Sequence, residues 1–337
     1  MKKIITLIIA VIIIFFVYFI FMLSSPVSSK KSPVYFEVAS GQTLKQVSKN
    51  LADQGLIRSS FVFETYAKIR GWQSRVVAGN HLLDKNMNIK DILGNIITNK
   101  NLENERTITI IEGWTIEEIA DYLASQKIVS KSDFMAAAQT NSWKHKGLDQ
   151  DYDFLTGVSA KTLEGFLFPD TYRIFTDATA RDIVKKMLDN FDSKLTAKMR
   201  SDIASQGKSI FEVINLASII EREVSKDADK KLIADIFLKR LKAGIALQSD
   251  ATINYITGKG MSQPSYDDLK IDSPYNTYKY RGLPPGPISN SGLKSIEAVI
   301  YPTPNPYYYF LTTLDDGTVI YSKTYEEHLK NKAKYLN

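Results

Sequence analysis

Two carboxylates, Glu221 and Glu223, end the run Phe211 to Ser225, F-E-V-I-N-L-A-S-I-I-E-R-E-V-S. Apolar residues recur there through Val213, Leu216, Ile220 and Val224, with Ile214, Ala217 and Ile219 adding to them. That pattern predicts a helix buried on more than one side, at the centre of a domain. At helical spacing Glu221 shares a face with Ile214, Ala217 and Ser218, an apolar and small-residue stripe that leaves room for a ligand. A carboxyl stripped of water favours its protonated form, which is what a general acid near neutral pH requires. Glu223 lies roughly 200° further around a helix of 3.6 residues per turn, so the two carboxylates do not form a pair. Glu221 is the candidate acid; the alternative is the solvated end of a core helix.

Further side chains suited to chemistry follow. Leu247 to Tyr255, L-Q-S-D-A-T-I-N-Y, is polar without the composition of a surface loop. S-P-Y-N-T-Y from Ser273 and R-G-L-P-P-G-P-I-S-N from Arg281 read as two ordered loops, the backbone pinned by Pro and Gly. Tyr, Asn, Thr and Gln supply rings and amides, and a pyranose offers an apolar face and a fringe of hydroxyls to match them. Alternatively these are only turn-forming loops. Upstream, L-E-G-F-L-F-P-D-T-Y from Leu163 reads as a constrained turn.

The elements that must position these residues fill a chain of 337 residues, 44% hydrophobic and 24% charged, enough for about two domains with cores. The net charge of +6 comes partly from Lys2, Lys3, Lys30 and Lys31 and leaves no nucleic-acid footprint. The chain has no cysteine, which excludes a disulfide scaffold and suits an oxidising compartment. His81, His145 and His328 are scattered, so no metal site, histidine triad or cofactor is expected. Ile4 to Leu23 is uncharged and of the about twenty residues a bilayer asks of a helix. With Lys2 and Lys3 before it, the expectation is a retained membrane anchor in the lipid bilayer, N-terminus cytoplasmic, the rest outside. Residues 1–23 would be that anchor and 24–33 a linker.

An internal repeat comes next. Val38 to Thr43 followed by Val47, Leu51 and Leu56 returns at Ile110 to Thr115 with Ile119, Leu123 and Ile128, all at an offset of 72 residues. Each copy predicts a strand, a Gly turn, a Thr cap and an amphipathic helix. The opening S-G-x-T-L-x-x-V-S resembles a LysM peptidoglycan-binding module, giving a LysM-like subdomain at 34–104; a duplicated packing unit without ligand is the alternative. Tyr66, Trp72 and Trp114 suit either stacking on sugars or a core. Helices are expected over Asp177–Asn190, Leu195–Ser205 and Ala228–Lys242, then a hairpin, Tyr307–Thr313 with Thr318–Ser322, and a helix from Thr324. The fold class is α+β, with 105–337 a helix-rich domain closed by that hairpin and 105–143 its repeat unit.

Four segments in order, A-S-I-I-E ending at Glu221, L-Q-S-D ending at Asp250, Tyr275-Asn276-Thr277-Tyr278, and G-L-P-P-G-P-I from Gly282, resemble the membrane-bound endolytic murein transglycosylases of the MltG (YceG-like) type. E-G-W-T at Glu112 and E-G-F-L-F-P-D-T-Y at Glu164 match as well; Ile111 departs from the Pro common there. The resemblance covers the chain after residue 23. It implies a lytic cut between N-acetylmuramic acid and N-acetylglucosamine within peptidoglycan strands, leaving a 1,6-anhydro end, at the outer side of the bacterial plasma membrane. It implies Glu221 as acid and then base, with Gln248, Asp250, Tyr275, Asn276, Thr277 and Tyr278 lining the glycan groove. Glu164 is a further groove carboxylate or a turn residue satisfied by backbone N–H groups. Membrane-bound peptidoglycan synthases are the implied partners. Two other classes stay open, a hydrolase giving reducing ends and a non-catalytic wall-binding protein.

Overall fold

The computed structural model describes residues 2–98, 105–143, 152–155, 158, 160–260, 264–313 and 315–336. The architecture is α+β, in two compact units, Met1–Arg106 and Thr107–Asn337. The expected boundary at Asn104 lies outside the described residues.

The first unit holds α1 (Lys2–Ser24), β1 (Pro33–Val38), α2 (Leu44–Asp53), α3 (Ser60–Ile69), β2 (Gly79–Asp84) and α4 (Ile89–Thr98). β1 and β2 pair antiparallel, Phe36 opposite His81. Alternation along β1 sends Phe36 and Val38 inward, where they join Val47, Leu51, Phe63, Leu83 and Ile92 in one core. Tyr66 and Trp72 meet edge-on at 6.4 Å, partly buried against that core, with Arg70 over the indole at 4.6 Å. These rings are used in packing.

The expectation of a membrane-spanning helix at Ile4–Leu23 is corrected here. The segment is helical, but among the described residues no helix is long and apolar enough to cross a membrane. The end of α1 is spent elsewhere: Leu23 is 6% exposed within the first unit's core, and Phe19 and Met22 pack against it. A helix whose last turns are held in a folded core has fewer residues than the about twenty a bilayer requires.

In the second part of the chain, β3 (Glu105–Thr109) pairs with β4 (Thr171–Phe175). Around them run α5 (Ile116–Ser125), α6 (Lys131–Ala137), α7 (Ala180–Lys194) and α8 (Ala197–Ser205). Then come α9 (Ile210–Glu223), α10 (Asp227–Lys242), α11 (Asp250–Thr257), α12 (Leu293–Ile300), the hairpin β5 (Tyr309–Thr312) and β6 (Val319–Ser322), and α13 (Tyr325–Tyr335). The two repeat copies share their local chemistry. Gly41 and Gly113 both take φ +82°, and Thr43 and Thr115 both cap a helix in capping boxes closed by Gln46 and Glu118. Trp114 packs against Tyr122 at 5.3 Å.

α9 is the helix the second unit is built on. Ser209 caps it with Glu212, and every residue from Val213 to Ile220 is buried. α8, α10, α11 and α12 all touch it. The proline-rich loop is fastened along it. Asn215 Nδ2 donates to Pro284 O at 2.7 Å, Ile288 N donates to Ser218 Oγ at 2.9 Å, and Ser289 Oγ donates to Ser218 O at 3.1 Å. Gly165 belongs to the same contact: at φ +89°, a Cβ there would lie 2.6 Å from Pro287, so only glycine fits.

Candidate active site

α9 ends at Val224, whose extended backbone stops the helix one residue after Glu223. The last turn therefore presents Glu221 and Glu223 on different sides, and their surroundings differ completely.

Glu221 is enclosed. Its Oε1 accepts from Lys230 Nζ at 2.8 Å, with the two side chains 7% and 3% exposed. Its Oε2 accepts from Gly292 N at 2.9 Å and Ser295 Oγ at 2.8 Å. Gly292 is the N-cap of α12, so the carboxylate takes the N–H of that cap residue and meets the helix's positive end. Glu112 shares the cluster, and a Cβ on Gly292 would fall 1.9 Å from its Oε1. Burial, and then the charge of Glu221, push the Glu112 carboxyl up. This arrangement holds α9, α10 and α12 together.

Glu223 opens into a cavity of about 520 Å³. One wall is Gln248, Asp250, Ala251 and Asn254, from the start of α11; Arg222, Arg240 and Tyr278 border it; β5 and α13 close the far side. Burial raises the Glu223 carboxyl to about 7, and the neighbouring Asp250 charge adds to the rise. Hydrogen bonds from Ser249 Oγ and the Ala251 N–H, with the Arg240 charge, pull it back. Ser249 is the N-cap of α11 yet makes no side-chain cap bond. Its hydroxyl serves Glu223, and the Glu223 carboxyl accepts an early N–H of α11 in return. The anion of Glu223 would thus be received by a helix N-terminus, so both protonation states are accommodated.

Asp250 accepts from Tyr278 OH at 2.5 Å. Burial pushes this carboxyl up, and the tyrosine bond and Lys332 oppose that. Gln248 sits beside it at φ +53°, a strained conformation for a residue with a Cβ, held by Gln248 N donating to Thr277 O at 3.1 Å.

Of the residues expected to line a groove, Gln248, Asp250 and Tyr278 do line the cavity. The other four do not reach it among the described residues, and each has work behind the site. Thr277 is buried, accepts from Ser249 N at 3.1 Å and meets Thr252 Oγ1 at 2.9 Å, fixing the start of α11. Asn276 is buried, donates to the carbonyls of Leu269 and Ile271, and accepts from Tyr278 N, which shapes the turn carrying Tyr278. Tyr275 packs against Tyr255 at 5.1 Å. Glu164 is buried, with both oxygens on Ile116 N at 3.0 and 3.1 Å and one on Asn290 Nδ2 at 2.8 Å. Burial raises this carboxyl to about 8. Glu221, the expected acid, lies in the buried ion pair and does not line the cavity.

Glu223, Ser249, Arg240 and the wall from β5 and α13 are what sequence reasoning passed over. The E-R-E spacing did separate the two carboxylates by roughly 200°. Nothing local tells which side of a helix buried all round meets α11, whose Ser249 is 26 positions away in the chain.

A model of the YceG-like family matches residues 36–334. An endolytic murein transglycosylase of Bacillus subtilis (strain 168) is 34% identical over 322 residues, covering 94% of this chain and 88% of that protein. One of Streptococcus pneumoniae is 30% identical over 330 residues, covering 92% of this chain; the chain spans 60% of that relative's length. A 2.6 Å crystal structure of a yceG-like protein from Listeria monocytogenes superimposes with a TM-score of 0.61 at 35% identity, over 90% of this chain and 100% of that one.

Proposed function

The chain belongs to the YceG-like family, and on that premise we propose that it is a lytic transglycosylase that cuts murein glycan strands internally, with Glu223 as the reacting group. The observation that carries the assignment is the single α9 carboxyl that opens into the cavity, raised to about 7, beside Ser249, Asp250 and Tyr278. A murein substrate implies that the reacting unit works outside the cytoplasm.

Protonated Glu223 gives its proton to the glycosidic oxygen between the muramoyl and glucosaminyl residues, and the C1–O bond breaks. The resulting carboxylate, received by Ser249 and the start of α11, takes the proton of the muramoyl C6 hydroxyl. That oxygen closes on C1 as a 1,6-anhydro ring. Because the nucleophile belongs to the substrate, one carboxyl suffices, unlike a two-carboxylate glycosidase. The Asp250–Tyr278 pair contributes charge that keeps Glu223 protonated near neutrality and faces the positive charge developing at C1.

Mass spectrometry of fragments released from peptidoglycan by the full chain tests this. Anhydro-muramoyl ends are expected. Reducing ends, heavier by one water, would instead favour hydrolysis with Asp250, the second carboxyl in the cavity, activating water.

The pH profile is a second check. The first step needs protonated Glu223, so kcat/KM is expected to fall as pH rises through about 7. Ser249→Ala removes a bond that stabilises the carboxylate, and should move that descending limb to higher pH. A limb that stays in place would separate it from Glu223.

A further inference from the structure

Arg222, Arg240 and Lys332 bring positive charge to the cavity, and their partners differ. Arg222 lies 3.5 Å from Glu118 and donates to Gly113 O. Lys332 acts on Asp250, whose carboxyl its charge draws down. Arg240, on α10, is 5% exposed and makes no ion pair among the described residues. Its Nε donates to Tyr308 O at 2.9 Å, and its Nη1 donates to Leu247 O at 2.7 Å and Ala246 O at 3.4 Å. The Tyr309 ring covers the guanidinium at 5.0 Å. A buried cation without an anion adds little to stability that a well-packed apolar side chain would not, so its charge needs another use.

The bonds of Arg240 indicate that use. Tyr308 leads into β5, while Ala246 and Leu247 lead into α11, so one side chain ties two walls of the cavity together. Two residues beyond Leu247, Ser249 Oγ donates to the Glu223 carboxyl. We propose that Arg240 is a positioning residue for the reaction at Glu223. It braces the segment that carries Ser249, and it keeps a fixed positive charge by the carboxylate formed when the acid gives up its proton. This rests on the reading of Glu223 as the reacting group. The other groups around the cavity do not supply that charge. Asp250 from α11 is itself an acid, bonded to the Tyr278 phenol, and β5 and α13 offer the phenols of Tyr309 and Tyr325. Burial holds His328 below its ordinary value, so it is uncharged at neutral pH. The Arg240 charge opposes the rise of the Glu223 carboxyl, so removing it lets that carboxyl climb further.

The experiment measures kcat and kcat/KM on peptidoglycan against pH, using the full chain with Arg240→Lys, with Arg240→Gln, and with citrulline placed at position 240 by nonsense suppression. Citrulline keeps an Nε–H and a terminal NH2, the donors used toward Tyr308 and Leu247, and removes the charge alone. It therefore carries the test even where Arg240→Gln does not fold. With citrulline or glutamine the descending limb of kcat/KM is expected to move up by about one pH unit, because no cation then favours the carboxylate. On the low-pH plateau kcat should fall about 10-fold, since the anion formed in the first step loses its countercharge. Arg240→Lys keeps the charge and gives up part of the brace, so it should lower the melting temperature and leave the limb in place. A limb that citrulline does not move overturns the proposal and leaves Arg240 a brace; a limb that lysine moves as far as citrulline does overturns it too. Ser249→Ala, run alongside, keeps the two readings apart. A limb that follows Ser249→Ala but not citrulline removes the role of Arg240 alone, and one that follows neither removes Glu223 from the reaction.

Discussion

Glu223→Gln is expected to keep its fold and lose at least ~100-fold in kcat on peptidoglycan, the range set by removing a positioned acid and base. The amide oxygen can still accept from Ser249 Oγ, which keeps one tie to the start of α11. What it lacks is a proton of suitable acidity to give and a charge to take one back. Glu221→Gln is the companion variant. Its side chain lies outside the cavity, and the amide oxygen can still accept from Gly292 N and Ser295 Oγ; Lys230 loses its anion, so stability should fall while turnover per folded molecule stays within about 10-fold of wild type. Fragment release counted by chromatography, with thermal denaturation on the same preparations, separates the two. Near-wild-type cleavage by Glu223→Gln would sink the assignment. So would a Glu221→Gln protein that is fully stable and inactive.

The second large effect is on stability. Glu221→Ala removes one partner of an ion pair whose side chains are 7% and 3% exposed, and strips α12 of the carboxylate at its N-terminus. Breaking such a pair costs about 3–5 kcal/mol, because Lys230 is left charged and unpaired where water cannot reach it. The second unit should unfold at clearly lower urea concentration. Replacing both partners, as Glu221→Leu with Lys230→Met, should recover much of the loss, since no uncompensated charge then remains buried. If Glu221→Ala unfolds at the wild-type midpoint, the buried pair contributes nothing and its part in joining α9, α10 and α12 fails.

A good deal of this molecule is legible in its amino acids because the signals are local. The caps Thr43, Thr115, Thr179, Ser209 and Thr324 each announce a helix, since a side-chain oxygen three residues before a free N–H makes its bond whatever else the fold does. The buried character of α9 follows from apolar residues on all its sides. The hairpin follows from two short runs around Asp315-Asp316-Gly317, and α10 stops at Gly244, which takes φ +65°. The N-terminal segment shows the limit of composition. Hydropathy alone read Ile4–Leu23 as a bilayer span, but where the helix ends in the first unit's core is a matter of which residues Leu23 meets.

What the sequence by itself determined is that α9 is central and carries its carboxylates at its C-terminal turn, about 200° apart. Which of them meets the cavity was decided only by tertiary structure. A helix apolar on every face carries no mark of its rotational setting, so its phase is fixed by what packs around it. Here Lys230, Gly292 and Ser295 close over Glu221, while Ser249, Asp250 and the β5–α13 wall leave a cavity in front of Glu223. Asn276 and Thr277 follow the same logic: polar side chains in a motif look alike in sequence whether they face a substrate or a backbone carbonyl. Burial, a property of the whole fold, is what raises the Glu223 carboxyl toward neutrality, while Lys230, Gly292 and Ser295 enclose that of Glu221.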